Sequence, residues 1–191
     1  TIMATDSLEV LLKEAEENRK GAVEAMSREF ATIRTGRANP ALLDRVMVEY
    51  YGDMVPVRHI ATVTAPEPRL LVIRPFDPST TPAVKKALQA SDLGLNPLAE
   101  ADIIRVPLPT LTEERRRELV KEVHKNTEEK KVEVRNYRRE AIDEIRKQEK
   151  SHEATEDDVR VFQDRVQKLT DSYVEKLDEL EKSKSEELME T

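Results

Sequence analysis

Apolar positions return at helical spacing in two long stretches of the chain. In the first, Leu8, Leu12, Ala15, Ala22, Met26, Phe30 and Ile33 recur at steps built from three and four, with Arg19 occupying one place in the series. This is the one-sided stripe of an amphipathic helix. Asp6 or Ser7 can cap its start, and Thr35-Gly36 can end it in left-handed geometry, which predicts a helix over about 7–34. In the second stretch, Leu119, Val123, Val134, Tyr137, Ala141 and Ile145 share a face that polar Asn126 and Lys130 interrupt. The pattern breaks around residues 150–155. It resumes with Val159, Phe162, Val166, Leu169, Tyr173, Leu177, Leu180 and Leu188. The spacing predicts helices over about 111–150 and 156–187. Thr110 with Glu113 fits a capping box and Thr112 is a rival N-cap, while Thr155 with Asp158 signals the start of the last helix. Each stripe needs partners to leave water. The reading is therefore a long antiparallel bundle in which the first helix packs on the hairpin of the other two. A longer intermolecular coil is the alternative.

Between these stretches the period changes. All ten prolines fall between Pro40 and Pro109, so the flanks are free to be helical and the middle is not. Val46–Tyr51, Met54–Val57, Ala61–Thr64, Leu70–Arg74 and Ile103–Val106 read as short strands, with Gly52-Asp53 as turn residues. Thr81-Pro82 opens a helix to about Ala90, which Asp92-Leu93-Gly94 ends. The expected fold class is α+β: a three-helix bundle of residues 1–36 and 110–191, with a small α/β domain of residues 37–109 inserted after the first helix. Two short non-helical connections join them, Thr35-Gly36-Arg37 and Val106-Pro107-Leu108-Pro109-Thr110. Paired connections of this kind allow a hinge; a rigid packed joint is the alternative.

Composition removes several function classes. No apolar run approaches the roughly 20 residues that span a bilayer, and no basic region followed by an apolar stretch opens the chain. Cysteine is absent, which excludes disulfides and thiolate chemistry and suits a cytoplasmic protein. Phosphate-cradling glycine motifs are missing, and His59, His124 and His152 lie in different elements without metal-ligand spacing. No catalytic residue, cofactor or metal is expected. Aromatic residues make up 4% and the net charge is −7, so any RNA contact must come from a local basic surface.

Charge is divided unevenly between the last two helices. Residues 111–150 carry 13 Lys+Arg against 11 Asp+Glu, and residues 151–191 carry 6 against 13. On a helical wheel Arg117, Lys121, Lys131, Arg135, Arg139 and Arg146 lie opposite the apolar stripe, and Arg138 lies on its flank. A line of guanidinium groups suits a ribose-phosphate backbone. A solvated face of Glu–Lys neighbours is the bland alternative. On the RNA-binding reading, removing Arg138 weakens binding and leaves stability nearly unchanged.

Several longer motifs carry a resemblance. Ile33-Arg34-Thr35-Gly36-Arg37-Ala38-Asn39-Pro40 running to Glu49-Tyr50-Tyr51-Gly52 is similar to the signature of the ribosome recycling factor family. So are Ala90-Ser91-Asp92-Leu93-Gly94-Leu95-Asn96-Pro97, Ile104-Arg105-Val106-Pro107-Leu108-Pro109, Leu111–Leu119, Val134-Arg135-Asn136-Tyr137-Arg138-Arg139 and Val166–Asp171. The likeness is collinear over about residues 8–189. It implies an L-shaped, tRNA-sized monomer that binds the post-termination ribosome, mainly through large-subunit ribosomal RNA. It also implies action with elongation factor G and GTP to separate the subunits, the nucleotide belonging to the partner. The family's Arg-Asn-x-Arg-Arg motif falls on Arg135, Asn136, Arg138 and Arg139. Two departures stand out: Leu98-Ala99-Glu100-Ala101 where a glycine-containing turn is usual, and Tyr137 where an aliphatic residue is usual. Alanine avoids positive φ, so the turn is expected to differ in geometry. A coiled-coil adaptor without salt-sensitive ribosome affinity is the competing reading.

Overall fold

The structure, a computed structural model, describes residues 2–190. In chain order these form α1 (Ile2–Ala31), β1 (Met47–Tyr50), β2 (Asp53–Pro56), α2 (Val57–Ile60), β3 (Ala61–Glu67) and β4 (Leu70–Pro75). There follow α3 (Thr81–Ala90), β5 (Leu98–Glu100), β6 (Ile103–Pro107), α4 (Glu113–Lys150) and α5 (Glu156–Met189). Short 3-10 turns cover Pro40–Leu43 and Pro78–Thr80. The fold is α+β, with three long helices and a small sheet domain. It divides into two compact units: the chain up to Arg28 with Lys121–Ser185, and Glu29–Val120 with the residues from Glu186 onward.

The first unit is all helix. Leu8, Ile145, Ala154, Val159, Phe162 and Val166 form a core at the α4–α5 turn. Gln148 Nε2 donates to Ser7 Oγ at 2.9 Å and Arg165 pairs with Glu9 at 2.7 Å, so the start of α1 meets the end of α4 and the start of α5. Within this unit α1 therefore runs antiparallel to α4 and parallel to α5. The predicted stripes face inward: Ala15, Ala22, Met26, Val123, Val134, Tyr173 and Leu177 are buried. Arg19 is buried with them. Its Nε and Nη2 donate to Thr170 Oγ1 at 3.2 and 3.0 Å, and Nη1 donates to the Ala15 carbonyl at 2.7 Å. Burial holds its pKa below the usual arginine value, against a smaller opposite effect of Tyr173. Thr127, missed by the periodicity, also sits in the core, where it donates to the Val123 carbonyl at 2.8 Å. A hydroxyl satisfied one turn back costs little to bury.

Helix ends separate good sequence signals from weak ones. Thr155 and Asp158 exchange hydrogen bonds at 3.1 and 3.3 Å, the reciprocal capping box expected. At α4 the rival wins: Thr112 Oγ1 accepts from the Arg115 amide at 3.1 Å, and Thr110 accepts from Arg69 instead. α1 extends before Asp6 and ends at Ala31, several residues short of Gly36. Gly36 does not take positive φ, which among the glycines only Gly52 and Gly94 do. The helix closes instead on turns from the Thr32 and Ile33 amides to the carbonyls of Glu29 and Phe30, both 3.1 Å.

The second unit holds the sheets. β1 and β2 pair as a hairpin, and the other strands form an antiparallel sheet in the order β3-β4-β6-β5. The β1–β2 turn is Tyr51-Gly52, with φ 48° and 86°, one residue earlier than predicted. Positive φ at both central residues matches the twist of a two-residue hairpin. β5, α2 and the 3-10 turns were not foreseen. Each is too short to show a period, although Asn39-Pro40 and Asp77-Pro78 are cap-and-proline starts, with both side chains accepting amide bonds at 3.0 Å. Leu43, Val48, Val57, Leu71, Ile73, Val84, Leu88, Ile104 and Val106 fill one core whose buried members all lie between residues 42 and 108. Ala101 takes φ 52°, so the turn adopts the left-handed geometry that alanine was expected to avoid.

Candidate nucleic-acid interface

α4 carries all the residues singled out for RNA contact, and its burial pattern sorts them. Arg135, Asn136 and Arg139 are exposed on one face, three and four residues apart. Among the described residues neither arginine makes an ion pair, so both guanidinium groups present their donors outward. Val132, one turn earlier, is 52% exposed and extends the face with an apolar edge. Lys121 and Arg146 are exposed on the same helix.

Lys131 differs from the wheel, whereas Arg138 lies on the flank where the wheel put it. Lys131 turns toward α5, where it pairs with Asp178, and it also pairs at 3.2 Å with Glu128 of its own helix, leaving its side chain 13% exposed. The Asp178 bond, only partly offset by burial, raises its pKa above the usual lysine value. Its ammonium belongs to the bundle rather than to the outer ridge. Arg138 is half-buried rather than solvent-facing; Nη1 donates to Gln167 Oε1 of α5 at 2.8 Å, and Nε is buried without a partner. Removing Arg138 would also remove this contact with α5, so the premise of a solvent-facing side chain behind the expectation of nearly unchanged stability is not met. Helical periodicity assigns a face, but a long side chain leaves it when a carboxylate or amide waits on the neighbouring helix.

Tyr137 donates to Glu133 Oε1 at 3.0 Å. That bond, with burial second, pushes its pKa up. Glu133 also accepts from Lys130 at 3.2 Å, so a carboxylate next to the arginines is already engaged. Among the described residues neither Arg135 nor Arg139 pairs with Glu133, which Tyr137 and Lys130 engage.

The remaining residues lie in the second unit. Arg117 is exposed and pairs with Glu113 at 2.6 Å. Thr35 is buried, and its Oγ1 accepts from the Arg37 amide at 3.2 Å. Arg37 is exposed and pairs with Glu190 at 3.5 Å. Val106 and Pro107 belong to β6, pairing with Leu71 and Leu70, and Leu108 is buried in the small core. Only Pro109 and Thr110 of that connection stand outside the sheet and its core. The Ala38 amide donates to the Pro68 carbonyl at 2.6 Å and the Leu108 amide to the Arg69 carbonyl at 2.8 Å. Entry and exit of the small domain are thus tied to one turn.

Residues 26–189 match the family model described as Ribosome recycling factor. The chain is 51% identical over 180 residues to the ribosome-recycling factor of Halalkalibacterium halodurans, covering 94% of this chain and 97% of that protein. Identity to the factor of Rubrobacter xylanophilus is 51% over 179 residues, covering 94% and 96%. Among solved structures, a solution structure of the ribosome recycling factor superposes with a TM-score of 0.74 at 45% identity, covering 95% of this chain and 97% of that one. A second, the T. thermophilus factor placed with E. coli elongation factor G on the E. coli post-termination complex, gives 0.67 at 43% identity, covering 96% and 99%. No described helix is long and apolar enough to cross a membrane.

Proposed function

The chain belongs to the ribosome recycling factor family, and from that membership we propose that it binds the post-termination ribosome and, with elongation factor G and GTP, promotes its disassembly into subunits. The protein acts in the cytoplasm as a monomer and performs no catalysis; the nucleotide chemistry is the partner's. The relative placed with elongation factor G on the post-termination complex supports the choice of partners.

The observation that carries the reading is the unpaired Arg135–Arg139 face of α4. Two guanidinium groups one turn apart, free of carboxylates, form charge-assisted bonds to phosphate oxygens without first breaking an internal ion pair. Asn136 adds an amide beside them. Arg138 serves the same surface while bracing α5, and Lys121 and Arg117 extend basic character along the helix. Large-subunit ribosomal RNA is the ligand this face suits.

The mechanical part of the proposal takes residues 1–36 and 110–191 as one body and 37–109 as the other, although the compact units count residues 29–36, 110–120 and 186–190 with the insert. Thr35-Gly36-Arg37 and Val106–Thr110 are the compliant connections, with compliance in the second confined to Pro109 and Thr110. The small core between residues 42 and 108 supports treating the insert as a body of its own.

Co-sedimentation with ribosomes at low and high salt tests the binding step. Arg135→Ala with Arg139→Ala is expected to weaken binding at least about tenfold and to flatten its salt dependence. Stability should stay within about 0.5 kcal/mol, because neither side chain is packed or paired. Unchanged affinity in the double variant refutes this interface.

A further inference from the structure

The bundle brings together a donor set that the sequence spacing conceals. His124 and Glu128 stand one turn apart on α4, and α5 places Glu181 against them. His124 Nδ1 lies 2.6 Å from Glu181 Oε1. One ligand atom from each of the three residues falls within 4.8 Å of the others. Two carboxylates carry the charge that a dication cancels, and an imidazole nitrogen adds a third donor. The mixed nitrogen and oxygen donors suit a borderline ion such as Zn²⁺, while Mg²⁺ and Ca²⁺ prefer oxygen alone.

We propose that His124, Glu128 and Glu181 bind a divalent transition cation of the zinc class, which clamps α4 to α5. The site is prepared by the fold. Val123, Thr127 and Leu177 beside it are fully buried, so the helix spacing is set before any ion arrives. Glu181 is held in place with its side chain 20% exposed, and His124 is open to solvent at 62%, which leaves an entry path. Glu128 also accepts from Lys131, but Lys131 keeps Asp178 when Glu128 turns to the cation. Binding exchanges the His124–Glu181 hydrogen bond for two metal bonds, and water completes the shell.

The test uses the full chain and needs no ribosome. Calorimetric and thermal-unfolding titrations with ZnCl₂ should show one ion per chain and a rise in Tm, and MgCl₂ at the same concentration should show neither. His124→Gln and Glu181→Gln, each checked for folding by circular dichroism without metal, should each weaken Zn²⁺ binding by at least about tenfold, since even groups that only support a metal ligand have effects of that size. Replacing both His59 and His152 by Gln should change nothing. The proposal is overturned if Zn²⁺ does not bind, if binding survives both single variants, or if the distant double variant abolishes it.

Discussion

Ala101 and Gly21 are each in the backbone setting that suits the other residue. Ala101 follows β5 in the turn to β6 with φ 52°, where its β-carbon crowds the following carbonyl at a cost of roughly 1–2 kcal/mol. Gly21 sits inside α1, exposed, with nothing within 4 Å of where a β-carbon would stand. A helix-interior glycine costs roughly 0.5–1 kcal/mol relative to alanine. Ala101→Gly is therefore expected to stabilise by about 0.5–1 kcal/mol, after the greater freedom of glycine in the unfolded chain is discounted. Gly21→Ala should gain a similar amount. Denaturant unfolding checks both, and a lower midpoint in either variant contradicts the argument. The sequence alone marked the 98–101 turn as unusual but misjudged how it resolves. The pairing of Glu100 with Ile103 demands the tight turn, and strand pairing outweighs the preference of one alanine.

The three long helices were legible because their stripes are long and uninterrupted by proline, yet two polar features decide how they lock. Arg19 looks like an error in an apolar series until Thr170, 151 positions away, appears as its acceptor. Thr170→Val should cost about 1–3 kcal/mol, because it leaves a buried guanidinium short of acceptors. Arg19→Met removes the charge together with its need and should be neutral or stabilising. Destabilisation by Arg19→Met as large as that of Thr170→Val would show that Arg19 contributes more than it costs. The second feature is the alkaline response. Lys131, Tyr137 and Tyr173 all have pKa values raised in the folded chain: Lys131 mainly by Asp178, Tyr137 mainly by Glu133, and Tyr173 mainly by burial. A raised folded value means the stabilisation is complete below the unfolded value and is lost as pH climbs through the folded one. Tm should hold through neutral pH and fall from about pH 10 upward, where the unfolded groups begin to titrate, and Lys131→Met should make the fall shallower. The same slope in the variant would remove Lys131 from the account.

For the whole molecule, the test of the mechanical proposal is Gly36. The residue does not take positive φ, and a β-carbon built there meets nothing within 4 Å. Glycine is therefore not needed for the structure as it stands. If its backbone freedom serves movement, Gly36→Ala should leave stability unchanged or raise it by about 0.4–1 kcal/mol, keep ribosome affinity, and slow subunit splitting with elongation factor G. Splitting at the normal rate would make the freedom of Gly36 incidental and place any compliance at Pro109 and Thr110.

What the sequence by itself determined follows from periodicity and local chemistry. Leu8 to Phe30, Val159 to Leu188, the Thr155–Asp158 box and the confinement of proline to 40–109 each act within a few residues, and the helices and strands they mark are present. The family, too, was readable in contiguous motifs such as Arg135–Arg139. Only tertiary structure decided the direction of Lys131 and Arg138, the buried pairing of Arg19 with Thr170, and the meeting of His124 with Glu181. Those outcomes depend on which face of α5 lies opposite a given turn of α4 or α1. That register comes from packing the whole bundle, and no local stretch of sequence contains it.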